Sequence, residues 1–161
     1  MAKSEQRSVS VERHIAAPAE AIFAVLADAS RHCEIDGSGR LVRATSSNTP
    51  LTLGSTFSMR VRLGVTYPTK NRVLEFEENR LIAWAHWQGQ RWRYELEPSD
   101  DDGTLVRETF EWGTARWPRS IELVGAHKKN VPSMEVTLER LAAIVETPPA
   151  ATPDTDADNA A

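Results

Sequence analysis

The stretch Ser120–Glu146, SIELVGAHKKNVPSMEVTLERLAAIVE, decides the fold. Val124, His127, Val131, Met134, Leu138, Leu141 and Val145 recur at alternating steps of three and four, which gathers them on one side of a helix. Lys128, Lys129, Glu135, Glu139 and Arg140 take the other side and face water. A helix of this length with one apolar stripe requires a broad partner surface. Pro132 removes a backbone donor within it, so a bend is expected near residues 128 to 132.

The partner surface comes from the preceding residues, which carry strand signals. Val9, Val11 and Ile15 mark a first strand over 8 to 16. Pro18 then opens a short helix, Ala19 to Asp28, with Ile22, Phe23 and Leu26 on its packing face. A second helical turn is expected around Ser30 to Glu34, followed by the turn Ile35-Asp36-Gly37-Ser38-Gly39 and a strand from Arg40 to Ala44. Phe57, Met59, Val61 and Leu63 alternate with Ser58, Arg60 and Arg62, the period of a half-buried strand. Gly64 to Pro68 predicts a turn or strand break. Further strands are expected at Asn71 to Glu77, Leu81 to Trp87, Arg91 to Glu97 and Thr104 to Trp112. In the first of these, Val73 and the pair Leu74 and Phe76 argue for opposite inward faces. Gln88-Gly89-Gln90 and Ser99-Asp100-Asp101-Asp102-Gly103 supply hairpin turns. Consecutive strands joined by tight turns form an antiparallel sheet. The fold class is therefore α+β, a curved sheet of about seven strands with one or two short helices after the first strand and a long helix across it.

Of the 161 residues, 1–7 predict a loose N-terminus, 8–146 one folded domain and 147–161 a disordered tail rich in proline, alanine and aspartate. A formal net charge of −4 gives no pull toward nucleic acid or an anionic membrane. The single Cys33 excludes an internal disulfide and fits a reducing cytoplasm. No segment has signal-peptide character or the length and apolarity to cross a bilayer, so no stable membrane insertion is expected. The oligomeric state is not legible.

The phrases VERHIAAPAEAIFAVLAD (11–28), HCEIDGSG (32–39), RLIAWAHW (80–87), GTLVRETFEW (103–112) and TLERLAAIVE (137–146) resemble the START-like superfamily, also called the helix-grip or polyketide cyclase/dehydrase-like (SRPBCC) family. The resemblance covers roughly residues 8 to 146. It implies a hydrophobic ligand held between sheet and long helix, in some members a polyketide. It carries over no catalytic residue, because one fold hosts many functions.

All five tryptophans fall between Trp84 and Trp117. They serve as core or as pocket lining. Glu108 shares a strand face with Val106, Phe110 and Trp112. A carboxylate there must be paired, hydrogen-bonded or protonated, and it could anchor a ligand or act as a general base. His127 lies on the apolar stripe of the long helix. The expected lining is Phe57, Met59, Trp84, His86, Trp92, Tyr94, Glu108, Phe110, Trp112, His127, Val131 and Met134. His32, Cys33, Glu34 and Asp36 include metal-ligand types but match no zinc spacing, so a local structural role is expected, with neither metal nor cofactor. Arg60, Arg62, Arg91 and Arg93 are expected on a solvated outer face.

Two functions follow first. One is binding of a small hydrophobic ligand, a lipid or an aromatic polyketide-like molecule. The other is a cyclase or dehydratase using Glu108 and His127 as an acid–base pair. A third, a protein-interaction or chaperone-assisting module without ligand, would need a filled core.

Overall fold

The structure, a computed structural model, describes residues 7–46 and 49–146. Apart from Arg7, the loose N-terminus expected from the sequence, and all of the expected tail, lie outside the described residues. Seven strands run in chain order: β1 (Ser8–Ile15), β2 (Leu41–Ser46), β3 (Thr56–Leu63), β4 (Val65–Glu77), β5 (Leu81–His86), β6 (Arg91–Pro98) and β7 (Thr104–Glu111). They form one sheet in the order β1-β7-β6-β5-β4-β3-β2, with every neighbouring pair antiparallel. The helices are α1 (Ala19–Leu26), α2 (His32–Ile35), α3 (Pro118–Leu123) and α4 (Ala126–Val145). This is the α+β architecture expected, with the long C-terminal helix against the sheet.

Two features differ from the sequence reading, and each has a local cause. The C-terminal segment is two helices. Gly125 takes a left-handed conformation (φ 66°) that ends α3 and starts α4 at a new angle, a position that glycine occupies without steric penalty. Val124 therefore leaves the apolar stripe and is exposed, while α4 runs on through Pro132. The second difference is Gly64 to Pro68. Only Gly64 (φ 74°) turns the chain; Thr66 to Pro68 continue as strand. Pro68 lies opposite Arg60 of β3, before β4 meets β5 at Asn71 opposite His86. With a neighbour on one side only, the strand has the edge condition in which proline is tolerated.

The conflict in the strand over residues 71–77 is resolved by a bulge. Val73 faces Trp84, the register then shifts, and Phe76 faces Ile82. The extra residue turns both Val73 and Phe76 to the core side, leaving Leu74 exposed. Phe76 meets Phe23 of α1 edge-on at 5.4 Å.

The core joins α1 (Ile22, Phe23, Leu26), the sheet (Phe57, Ile82, Val106) and the C-terminal half of α4 (Leu138, Leu141, Ala142). Each large apolar side chain removed from water contributes about 1.5–3 kcal/mol. The turn after α2 also locks onto α4. The Gly37 N–H donates to Thr137 Oγ1 at 3.0 Å, and Arg140 donates to the Asp36 carbonyl. A Cβ on Gly37 would lie 2.0 Å from the Ser133 carbonyl oxygen, so this position requires glycine for close approach.

Candidate functional site

Between the sheet and the N-terminal half of α4 lies a cavity of about 290 Å³. Its floor is the concave sheet face: Phe57, Met59 and Val61 from β3, Tyr67, Thr69 and Asn71 from β4, Trp84 and His86 from β5, Trp92 and Tyr94 from β6, and Glu108 and Phe110 from β7. Strand alternation places these residues here, since every second side chain points inward. The roof is Ala126, Asn130, Ser133, Met134 and Thr137 of α4, spaced by three and four along one helical face. Ile121 of α3 closes one flank, and His32, Ile35, Asp36 and Arg40 the other.

Rings cover much of the floor. His32 stacks on Trp84 (centroids 4.9 Å, planes 19° apart), and Trp84 stacks on Tyr94 at 5.5 Å. Phe57 stands edge-on to both His32 and Trp84. Trp92 lies 4.7 Å from Phe110, which continues to Trp112 at 5.8 Å.

Glu108 is the polar centre of this surface. The residue is 2% exposed. Its Oε1 accepts the Tyr94 hydroxyl at 2.9 Å, while Oε2 has no partner among the described residues. Burial pushes the Glu108 carboxyl up to about 8, the hydrogen bond from Tyr94 opposes that rise, and the Asp36 carboxylate adds to it. The same burial, with the charge of Glu108, raises Tyr94 well above its ordinary value. Glu108 is therefore a neutral acid at pH 7.

His32 is buried, and burial holds its imidazole below the ordinary histidine range. Its Nε2 lies 2.9 Å from the Leu26 carbonyl, which fixes Nε2–H as the donor in the neutral ring. Burial also lowers His86, whose Nδ1, like Gln90 Oε1, is buried without a partner among the described residues. The Asp36 carboxyl sits in a nest of donors: the Ser38 N–H (3.0 Å) and hydroxyl (2.7 Å), and the Arg40 and Leu41 N–H groups (each 2.8 Å).

Of the expected lining, Phe57, Met59, Trp84, His86, Trp92, Tyr94, Glu108, Phe110 and Met134 meet around the cavity. Trp112, His127 and Val131 lie outside its wall. The Trp112 indole N–H donates to Glu122 Oε1 at 3.0 Å, and its ring packs 5.1 Å from His127. Arg7 donates to the same carboxylate oxygen at 2.7 Å, so this cluster fastens α3 to the sheet. His127 and Glu108 are thus not brought together on one wall. Cavity residues without an earlier signal are Asn71, Gln90, Asn130, Ser133 and Thr137, and His32 and Asp36, which the sequence assigned to a local turn. Glu34 pairs with Arg31 at 3.1 Å. Burial, then the charge of Asp36, raises the Cys33 thiol and leaves it a poor nucleophile.

A family model described as polyketide cyclase / dehydrase and lipid transport matches residues 6–146. The chain belongs to this family. Among curated relatives, an uncharacterized protein of Mycobacterium tuberculosis strain H37Rv is 37% identical over 138 residues, covering 83% of this chain and 62% of that protein. The chain thus spans less than two thirds of the relative's own length. Solved structures of the same shape include a protein from Chromobacterium violaceum, with TM-score 0.69, 15% identity and coverage of 88% of this chain and 99% of that one. The di-domain ARO/CYC StfQ from the steffimycin biosynthetic pathway matches with TM-score 0.64 and 13% identity, over 87% of this chain and 50% of its own. At these identities the structural matches establish the helix-grip fold alone. A polyketide cyclase / dehydrase and lipid transport domain is a ligand-binding helix-grip domain, and the cavity under α4 is where that fold leaves room. No described helix is long and apolar enough to cross a membrane.

Proposed function

We propose that this chain binds a compact, mainly apolar small molecule in the cavity beneath α4. One observation carries the reading: 290 Å³ of space lies over a floor of stacked aromatic rings, with Glu108 as a deeply buried polar anchor. That volume falls just below the roughly 300–1,000 Å³ typical of ligand sites. It favours a fused-ring body, such as an aromatic polyketide, over a long acyl chain. Affinity comes from apolar burial at about 25 cal/mol per Å², less the cost of ordering the ligand. The single Cys33 agrees with a cytoplasmic setting.

The test is a calorimetric and native mass spectrometry panel of fused-ring compounds on the full chain and on Ser133→Leu. The leucine fills the roof without touching the core below. The wild type takes up at least one compound, and Ser133→Leu weakens it about tenfold or more while melting like the wild type. A wild type that binds nothing across the panel sinks the reading.

A second reading, a cyclase or dehydratase, is favoured by the Glu108–Tyr94 hydrogen bond at the cavity wall. A neutral carboxyl in contact with a substrate is placed to donate and recover a proton. In that reading the partner of Glu108 is Tyr94, since His127 packs on Trp112. Turnover unaffected by Glu108→Gln removes it.

A further inference from the structure

We infer that the cavity selects a cation: a protonated amine carried on a compact aromatic body, with Glu108 as its counter-ion. The inference rests on the binding role proposed above and adds the charge of the ligand. Glu108 is buried among rings, and one of its oxygens has no partner among the described residues. Gln90 Oε1, a second lining acceptor, is buried and equally unpartnered. A wall with spare acceptors is complementary to a donor, and an ammonium brings three N–H donors and no acceptor.

Charge points the same way. Groups facing the cavity from each wall are Glu108, Tyr94 and Tyr67 on the floor, Asp36 and His32 on the flank, and His86 at the end of β5. Both imidazoles are held toward their neutral form by burial. The Asp36 carboxylate adds to the rise at Glu108. The roof contributes neutral residues, Asn130 and Met134 among them, and the lining arginine, Arg40, is exposed. With both imidazoles neutral and Arg40 exposed, the groups that can leave charge in this interior are carboxyls, and Glu108 becomes anionic when an arriving ammonium displaces its proton. Such an interior opposes a carboxylate ligand and draws in a cation.

The proton balance is simple. Glu108 enters neutral and the amine enters as RNH3⁺. The bound pair is RNH3⁺ against the Glu108 carboxylate, and one proton leaves to solvent. A ligand presenting a carbonyl would instead use the proton on Glu108, and its affinity would fall as that proton is lost.

The experiment is isothermal titration calorimetry of the full chain with 1-naphthylmethylamine, its neutral counterpart 1-naphthylmethanol and the anion 1-naphthoate. Near pH 8 the amine binds about tenfold or more tighter than the alcohol, and naphthoate is the weakest. Between about pH 6 and 7.5 amine affinity rises by up to roughly tenfold per pH unit, and buffers of different ionisation heat report about one proton released. Glu108→Gln brings the amine-to-alcohol ratio to within about threefold of one. If the alcohol binds as tightly as the amine, or amine affinity is flat with pH and no proton is released, the cation is wrong while the binding role stands. If none of the three binds, the binding role falls and this inference with it.

Discussion

Replacing Glu108 with glutamine should change how folding stability depends on pH. The carboxyl titrates near 4.5 when unfolded and about 8 when folded. Between those values the folded chain holds more protons than the unfolded chain, so stability falls as pH rises through the window. Ionising the buried group costs at most about 4–5 kcal/mol by the difference between the two values. That figure is a ceiling, because water admitted beside the carboxylate lowers it. Glutamine carries the same acceptor to the Tyr94 hydroxyl and has no proton to lose, so this slope vanishes. Urea melts of both proteins at pH 5, 6, 7 and 8 give the comparison. They should agree near pH 5, and the variant should gain steadily above that. His32 and His86 act in the opposite sense: each resists protonation when folded, so their contribution is lost as pH falls below about 6.5. Both proteins carry them, so they cancel in the difference. Parallel profiles from pH 5 to 8 would mean that Glu108 is not a neutral buried acid, and the electrostatics argued here would be wrong.

Gly37→Ala should cost about 2–4 kcal/mol, read as a lowered urea midpoint, because its Cβ would lie 2.0 Å from the Ser133 carbonyl. Leu138→Ala, at a residue 1% exposed, should cost about 2–5 kcal/mol in the same assay. Asp36→Asn removes a charge that raises Glu108, so the Glu108 carboxyl, followed by carbon NMR, should titrate at lower pH than in the wild type.

The sheet was legible because its residues alternate. Phe57, Met59, Trp92, Tyr94, Glu108 and Phe110 were assigned inward by period two, and all line the cavity. Alternation left the inward face open between Val73 and Phe76, where a bulge inserts a residue, since a bulge has no side-chain signature of its own. The roof was harder to read. Apolar periodicity finds faces that are filled, whereas a cavity lies where residues are too small to fill it. Val131 and His127 drew notice as large residues on a stripe, and both lie beside the cavity. Ala126, Asn130, Ser133 and Thr137 repeat at the same helical spacing and drew none, being small or polar. Gly37 looked like turn chemistry, because its tight approach to α4 depends on a residue one hundred positions away. The break at Gly125 was hidden by an apolar pattern that runs across it, and the conformation of one glycine decides it.

Helix α4 therefore has two parts with different tasks. Leu138, Leu141 and Ala142 are buried against the core and hold the helix in place. Ala126 to Thr137 leave space over the aromatic floor. That division makes a prediction at Asn130, a half-buried roof residue. Leucine there has the same branched outline though a larger volume, removes a half-buried amide and favours the helix. Stability should rise by about 0.5–2 kcal/mol, as when function rather than folding has chosen a residue. Binding of a ligand that uses the amide should weaken in the same variant. Thermal melts and calorimetry on one preparation read both. Lower stability with unchanged binding would show that Asn130 serves the fold, and that the roof has been assigned to the wrong face of α4.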